Sequence, residues 1–121
     1  MPHTILVVED EPDLREVIVD CLKGAGYTAV SCGDGNQVLG LIRQHAPSLV
    51  ILDLQLPGMN GWKLCHLIKS NPATARLLIV ALSGLIEEDS GAGDTDRFDY
   101  MIAKPFDPDA LLNRLRKLLK D

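Results

Sequence analysis

Leu49-Val50-Ile51-Leu52-Asp53-Leu54-Gln55-Leu56-Pro57-Gly58 is the stretch that decides the fold. Its first four residues are aliphatic without interruption. A strand with one wet face would alternate apolar and polar residues instead. An unbroken aliphatic run therefore reads as a strand buried on both faces, the habit of a parallel sheet. The run stops at an acid, and Pro57-Gly58 with Asn60-Gly61 mark a loop.

The same shape recurs on either side. Ile5-Leu6-Val7-Val8 runs into Glu9-Asp10-Glu11, and residues 77–82 run into Ser83-Gly84. Thr28–Cys32 and the short stretch 100–102 complete the set of strands. Helical patterns fill the gaps. Pro12 stands where a first helical residue tolerates proline. Leu14, Val17, Ile18, Cys21, Leu22 and Ala25 then form one apolar stripe, ended by Gly24 and Gly26. Asp34 can cap a second helix carrying Val38, Leu41 and Ile42 and ending near Pro47. A third carries Leu64, Cys65, Leu67 and Ile68 and closes at Asn71-Pro72. Asp107 caps the last, with Pro108 at its first position. Its stripe is Leu111, Leu112, Leu115, Leu118 and Leu119, with Arg114, Arg116, Lys117 and Lys120 turned to water. Residues 87–96 are the weak unit: five acids, two glycines and no apolar stripe. A short or irregular fourth helix and a mobile surface are expected there, because glycine disfavours a helix interior. The alternation predicts an α/β fold, a doubly wound five-stranded parallel sheet with helices on both faces.

The 121 residues suit a single domain, 1–121, large enough to bury a core without staples. A formal charge of −5 argues against direct nucleic-acid binding, which needs a basic face. No apolar run approaches the roughly 20 residues of a membrane span, so no membrane partner is expected. Met1-Pro2-His3-Thr4 enters a strand pattern at once, so no signal peptide is expected. Cys21, Cys32 and Cys65 form an odd set without CxxC spacing and read as reduced core thiols. The expected location is cytoplasmic. His3, His45 and His66 read as surface residues, and Trp62 as a packing residue.

In an open parallel sheet, ligands bind beyond the carboxyl ends of the strands. Glu9 and Asp10, Asp53, Ser83 and Lys104 all fall there. Three gathered acids repel one another unless a cation neutralises them. Magnesium suits them, since it takes oxygen ligands and shares its shell with phosphate. A carboxylate beside a metal ion and an ammonium is a suitable phosphoryl acceptor, and Ser83 can hydrogen-bond a phosphoryl oxygen. No Walker loop is present, and Gly33-Asp34-Gly35 lacks the third glycine of a dinucleotide fingerprint.

Four pieces together resemble the receiver domains of response regulators in two-component signalling. They are Ile5-Leu6-Val7-Val8-Glu9-Asp10-Glu11-Pro12, the stretch Leu52-Asp53-Leu54-Gln55-Leu56-Pro57-Gly58-Met59-Asn60-Gly61, Ala81-Leu82-Ser83-Gly84 and Lys104-Pro105-Phe106. The likeness spans nearly the whole chain in the family's order. It implies a flavodoxin-like sheet of strand order 2-1-3-4-5, with Asp53 as phosphoacceptor. It implies that Asp10 holds Mg2+ directly, Glu9 through water, and Gln55 through its backbone carbonyl. Ser83 matches the switch hydroxyl and Lys104 the phosphate-pairing lysine, with a cis bond to Pro105. The implied phosphodonor is a histidine kinase or a histidine phosphotransfer protein.

The chain departs from the family pattern in two places. The position three before the lysine, often aromatic, is Met101, with Tyr100 beside it on the opposite face. The unit at 87–96 is also about one residue short. These departures motivate a second reading, a receiver-like interaction module that no longer turns over phosphate. A hydrolase acting on outside substrates fits poorly. Gln55 replaces the second acid of the usual Asp-x-Asp pair, and no insertion is large enough for a substrate cap. The chain is thus expected to be a signalling domain that assists its own phosphorylation and dephosphorylation. The run from Phe98 to Pro108 also resembles receivers at the ends of hybrid kinases.

Overall fold

Every residue of Leu49–Asp53 is buried, and the strand they form, β3, runs through the middle of the molecule. The structure is a computed structural model that describes residues 3–58, 60–84 and 98–120. The unit at 87–96 lies outside the described residues. Around β3 the chain forms β1 (Thr4–Val8), α1 (Pro12–Gly24), β2 (Thr28–Cys32) and α2 (Val38–His45). After it come α3 (Gly61–Ser70), β4 (Leu78–Ser83), β5 (Tyr100–Ala103) and α4 (Pro108–Leu119). The strands make one sheet in the order β2-β1-β3-β4-β5, and every neighbouring pair is parallel. Strand order and doubly wound architecture are those expected.

Alternate side chains of each strand feed two separate cores, as the pleat requires. Leu6, Val8, Val50, Leu52, Ile79 and Ala81 pack with Val38 and Ile42 of α2 and Leu64, Cys65 and Ile68 of α3. Ile5, Val7, Leu49, Ile51, Val80 and Leu82 pack with Ile18 and Leu22 of α1 and Leu111 and Leu115 of α4. Each fully buried Leu or Ile contributes about 1.5–3 kcal/mol relative to exposure. Trp62 packs against Phe98 at 5.8 Å between ring centroids, so it is a packing residue. None of the three cysteines forms a disulfide, and Cys32 and Cys65 are buried.

Local signals explain the element ends. Pro12 opens α1, Asp107 accepts the Asp109 N–H at 3.0 Å, and Asn60 accepts the Trp62 N–H at 2.7 Å. Gly26, at φ +92°, makes the turn after α1 that other residues rarely adopt.

Three readings need correction. Asp34 caps a short 3-10 turn, Gly35–Gln37, and α2 starts only at Val38. The Asp34 side chain accepts the Asn36 N–H at 2.8 Å, and the Gln37 N–H donates to the Asp34 carbonyl at 3.1 Å, the i to i+3 bond that defines the tighter turn. Arg114 does not simply face water: its guanidinium stacks 4.1 Å over the Tyr100 ring. His3 is half-buried, its Nδ1 lying 2.9 Å from the Ser48 hydroxyl.

One tie between distant segments was not legible in sequence. Asp99 Oδ2 accepts the Ile79 N–H and pairs with Lys69 Nζ, both at 2.8 Å. Lys69 also donates to the Leu77 carbonyl at 2.8 Å, joining the end of α3 to the starts of β4 and β5. Asp99→Ala leaves the buried Ile79 amide without its acceptor. We expect a loss of about 1–2 kcal/mol in urea unfolding, with Asp99→Asn retaining much of it. Equal stability of Asp99→Ala and wild type would show that solvent replaces this tie.

Candidate functional site

Parallel pairing delivers the carboxyl ends of all five strands to one edge. The order reverses between β1 and β3, which opens a crevice at their carboxyl ends. Glu9 and Asp10 follow β1, and Asp53 is the last residue of β3. Each offers a carboxylate oxygen, and the three oxygens lie within 4.8 Å of one another. Glu9 and Asp53 are buried and Asp10 is exposed.

Lys104 follows β5 directly. Its backbone N–H donates to the Ser83 carbonyl at 2.8 Å, extending the β4–β5 ladder by one bond. That anchor aims the side chain over β4 into the crevice. Its ammonium lies 2.6 Å from Glu9 Oε1 and 2.9 Å from Asp53 Oδ2. The Lys104–Pro105 bond is cis. Asp53 Oδ1 accepts the Gln55 N–H at 2.9 Å, so both oxygens of this carboxylate are held.

One ammonium does not balance three carboxylates. Burial pushes the Glu9 carboxyl from the usual 4.5 up to about 7. The Lys104 ion pair and the Glu11 N–H oppose this rise, and the Asp53 charge adds to it. Burial alone would lower the Lys104 pKa, but its bonds to Glu9 and Asp53 and their charges hold it above the ordinary value. Glu9 Oε1 has the ion pair but no contact of hydrogen-bond geometry, whereas Oε2 accepts the Glu11 N–H at 3.1 Å. A buried oxygen with spare lone pairs, in a pocket of excess negative charge, fits a hard cation with oxygen ligands.

The residues picked out in sequence thus come together at one edge. Glu9, Asp10, Asp53 and Lys104 form the cluster. Ser83 is buried at the end of β4, one residue beyond the register partner of Asp53, and opposite Ala103 of β5. Met101 packs with the α2–α3 core, while Tyr100 and Ile102 pack with the α1–α4 core. The two neighbours therefore face opposite sides, as the pleat predicts. A cavity of about 800 Å³ lies elsewhere, between the ends of α2 and α3, lined by Leu39, Arg43, Leu67 and Arg76 among others. No carboxylate lines it, so the charge and chemistry of the acidic edge outweigh its size in locating the site.

In sequence Gly61 reads only as a loop marker. It is the first residue of α3, and a Cβ there would stand 2.5 Å from Leu54 Cα and 2.7 Å from the Asp53 carbonyl oxygen. Helix α3 thus rests directly on the backbone of the acidic strand end. Only the Asn-Gly pair at 60–61 hinted at this, and it reads equally well as a turn.

A doubly wound parallel sheet with an acidic cluster and a lysine at its switch point defines the class: a receiver, the signalling domain of two-component systems. The family model for the response regulator receiver domain matches residues 5–116, and the chain belongs to that family. It is similar to the DNA-binding response regulator MtrA of Mycolicibacterium smegmatis, with 36% identity over 120 residues, covering 99% of this chain and 52% of that protein. The chain spans about half the length of the curated relatives it matches. Among solved structures, a putative response regulator from Chloroflexus aurantiacus superposes with a TM-score of 0.90 at 32% identity, covering 100% of both chains. The receiver domain of a histidine kinase from Syntrophus aciditrophicus gives 0.89 at 27%, covering 98% of this chain and 90% of that one. No helix of the described residues is long and apolar enough to cross a membrane.

Two outcomes follow from this geometry. Gly61→Ala drives a methyl group into backbone that cannot yield, and should cost about 1–3 kcal/mol in urea unfolding. A neutral result would mean that α3 shifts freely away from Leu54. The raised Glu9 pKa fixes a sign for the metal-free protein. Between pH 4.5 and about 7 the folded chain holds a proton that the unfolded chain has released. The Glu9 contribution to stability therefore declines as pH rises through that window. In EDTA, the stability of Glu9→Gln relative to wild type should grow from pH 5 to pH 8. A constant difference would contradict the raised pKa.

Proposed function

We propose that Asp53 accepts a phosphoryl group from a phosphohistidine on a histidine kinase or a histidine phosphotransfer protein. An Asp53 oxygen forms the P–O bond as the donor's P–N bond breaks, the imidazole nitrogen keeping the electron pair. The observation that carries this reading is the Lys104 ammonium lying between Glu9 and Asp53, at 2.6 and 2.9 Å, with Asp10 completing the acidic cluster. Lys104 and Ser83 are the groups that hold phosphoryl oxygens, by charge and by hydroxyl donation. The Gln55 N–H, 2.9 Å from Asp53 Oδ1, fixes the carboxylate plane before the donor arrives.

Asp10, Asp53 and the Gln55 backbone carbonyl are the direct ligands proposed for Mg2+, with Glu9 acting through water. When bound, Mg2+ neutralises the phosphoryl oxygens and the acidic pocket. In this reading residues 1–121 form one receiver unit in the cytoplasm, without a separate substrate, that signals by a change of conformation. The DNA-binding character of relatives such as MtrA supports a transcriptional output for the protein to which this unit belongs, through a segment other than this acidic domain.

Incubation with Mg2+ and a small acyl phosphate should add one hydroxylamine-sensitive phosphoryl group per chain, seen by intact mass. Asp53→Asn should abolish it, EDTA should suppress it, and Lys104→Met should slow it by at least about tenfold. If neither an acyl phosphate nor a phosphorylated histidine kinase labels the wild type, the reading is wrong. The interaction module then stands, a reading that Met101 at the usual aromatic position favours.

A further inference from the structure

Arg15 lies in the first turns of α1, apart from the residues that the proposed chemistry uses. Its Nη1 donates to the backbone carbonyl of Glu9 at 2.8 Å. That carbonyl stands where the β1–β2 ladder gives out. The last register pair is Val8 with Cys32, and the Glu9 N–H still donates to the Cys32 carbonyl at 3.1 Å. Beyond this point the guanidinium takes over the role of the neighbouring strand.

The space for it is made by the residue opposite. A Cβ on Gly33 would stand 2.5 Å from Arg15 Nη1 and 3.5 Å from the Glu9 carbonyl oxygen. Any side chain at residue 33 would force the guanidinium to shift from the place where it meets its acceptor. Arg15 and Gly33 are therefore one device, a cation from α1 seated over a bare backbone at the end of β2. The peptide group it holds joins Glu9 to Asp10, the two acids that β1 sends to the cluster.

We infer that Arg15, seated by Gly33, is a positioning residue that fixes the Glu9–Asp10 peptide so that both carboxylates point into the cation site. The inference rests on the metal reading given above, and it deepens it by adding two residues with no ligand role of their own. Main-chain orientation decides where Asp10 aims, because this exposed carboxylate has, among the described residues, no buried partner comparable to the Lys104 contact of Glu9. A hydrogen bond behind a ligand residue commonly changes metal affinity by about 10-fold or more.

Charge makes the test sharp, because the two effects of Arg15 have opposite signs. As a nearby positive charge it opposes binding of a cation, so Coulomb's law alone predicts that Arg15→Gln tightens Mg2+ binding. Positioning predicts that Arg15→Gln weakens it. Gly33→Ala keeps the charge and unseats the guanidinium, and should weaken binding as well. Arg15→Lys keeps the charge and one donor, and should fall between wild type and Arg15→Gln.

The measurement is Mg2+ titration of the full chain, followed by Trp62 fluorescence and calorimetry. Urea unfolding in EDTA verifies that each variant is folded, and Gly33→Ala carries the test should Arg15→Gln not fold. We expect Kd to rise about tenfold in both Arg15→Gln and Gly33→Ala. Tighter or unchanged binding in either folded variant overturns the positioning role while leaving the metal site intact. Failure of the wild type to bind millimolar Mg2+ sinks the metal reading, and this inference with it.

Discussion

The ammonium of Lys104, held between Glu9 and Asp53, is the interaction on which the site depends. It joins residues 51 positions apart and crosses three neighbouring strands, from the end of β5 over β4 to the ends of β3 and β1. Such a contact is weak evidence for stability, since taking charges out of water offsets much of their attraction. A chain selected for stability alone would do as well with apolar residues there. The cluster is better understood as a charge arrangement kept short of neutrality, able to receive a cation and an anionic group together.

The parallel sheet is what makes this arrangement possible. Each crossover returns the chain to the same edge, so every strand ends where the others end. The aliphatic strand interiors are then free of any polar duty, and the chemistry is confined to the last residues of the strands and those just past them. Backbone hydrogen bonds set the aim of each side chain. The Lys104 N–H on the Ser83 carbonyl, the Gln55 N–H on Asp53 and the Glu11 N–H on Glu9 all fix carboxylates or ammonium before any ligand arrives. Preorganisation of this kind costs folding energy but removes a reorganisation cost from the chemical step.

The two cores carry different consequences for a change at the site. Leu52 and Ala81 connect the acidic edge to α2 and α3, whereas Ile51 and Leu82 connect it to α1 and α4. Met101 belongs to the first set, and Tyr100 and Ile102 to the second. The Tyr100 ring is already engaged by Arg114 on its outer side. A rearrangement at Ser83 or Lys104 reaches β5 directly through the last rungs of the β4–β5 ladder. Its effects divide between a flexible methionine on one face and a stacked tyrosine on the other.

The sequence by itself determined the sheet, the helices among the described residues apart from the start of α2, and the identity of the charged cluster. Buried parallel strands must be aliphatic throughout, so Ile5-Leu6-Val7-Val8 and Leu49-Val50-Ile51-Leu52 were readable, as were the acids at their ends. Pro12 at the first position of α1 and the Asp107 cap of α4 act within a few residues, so local sequence located the starts of α1 and α4 closely, whereas Asn60, which caps α3, reads in sequence only as part of a loop. The 3-10 turn before α2 was missed because an Asp N-cap precedes a 3-10 turn and an α-helix alike. Only the tertiary structure decided that Glu9 is buried while Asp10 is exposed, that Gly61 lies against the Asp53 carbonyl, that Gly33 leaves room for Arg15, and that Asp99 ties Lys69 to Ile79. Each of these depends on the distance between segments remote in the chain. Periodicity and capping report what a residue does to its near neighbours, whereas close approach is set by how finished elements pack.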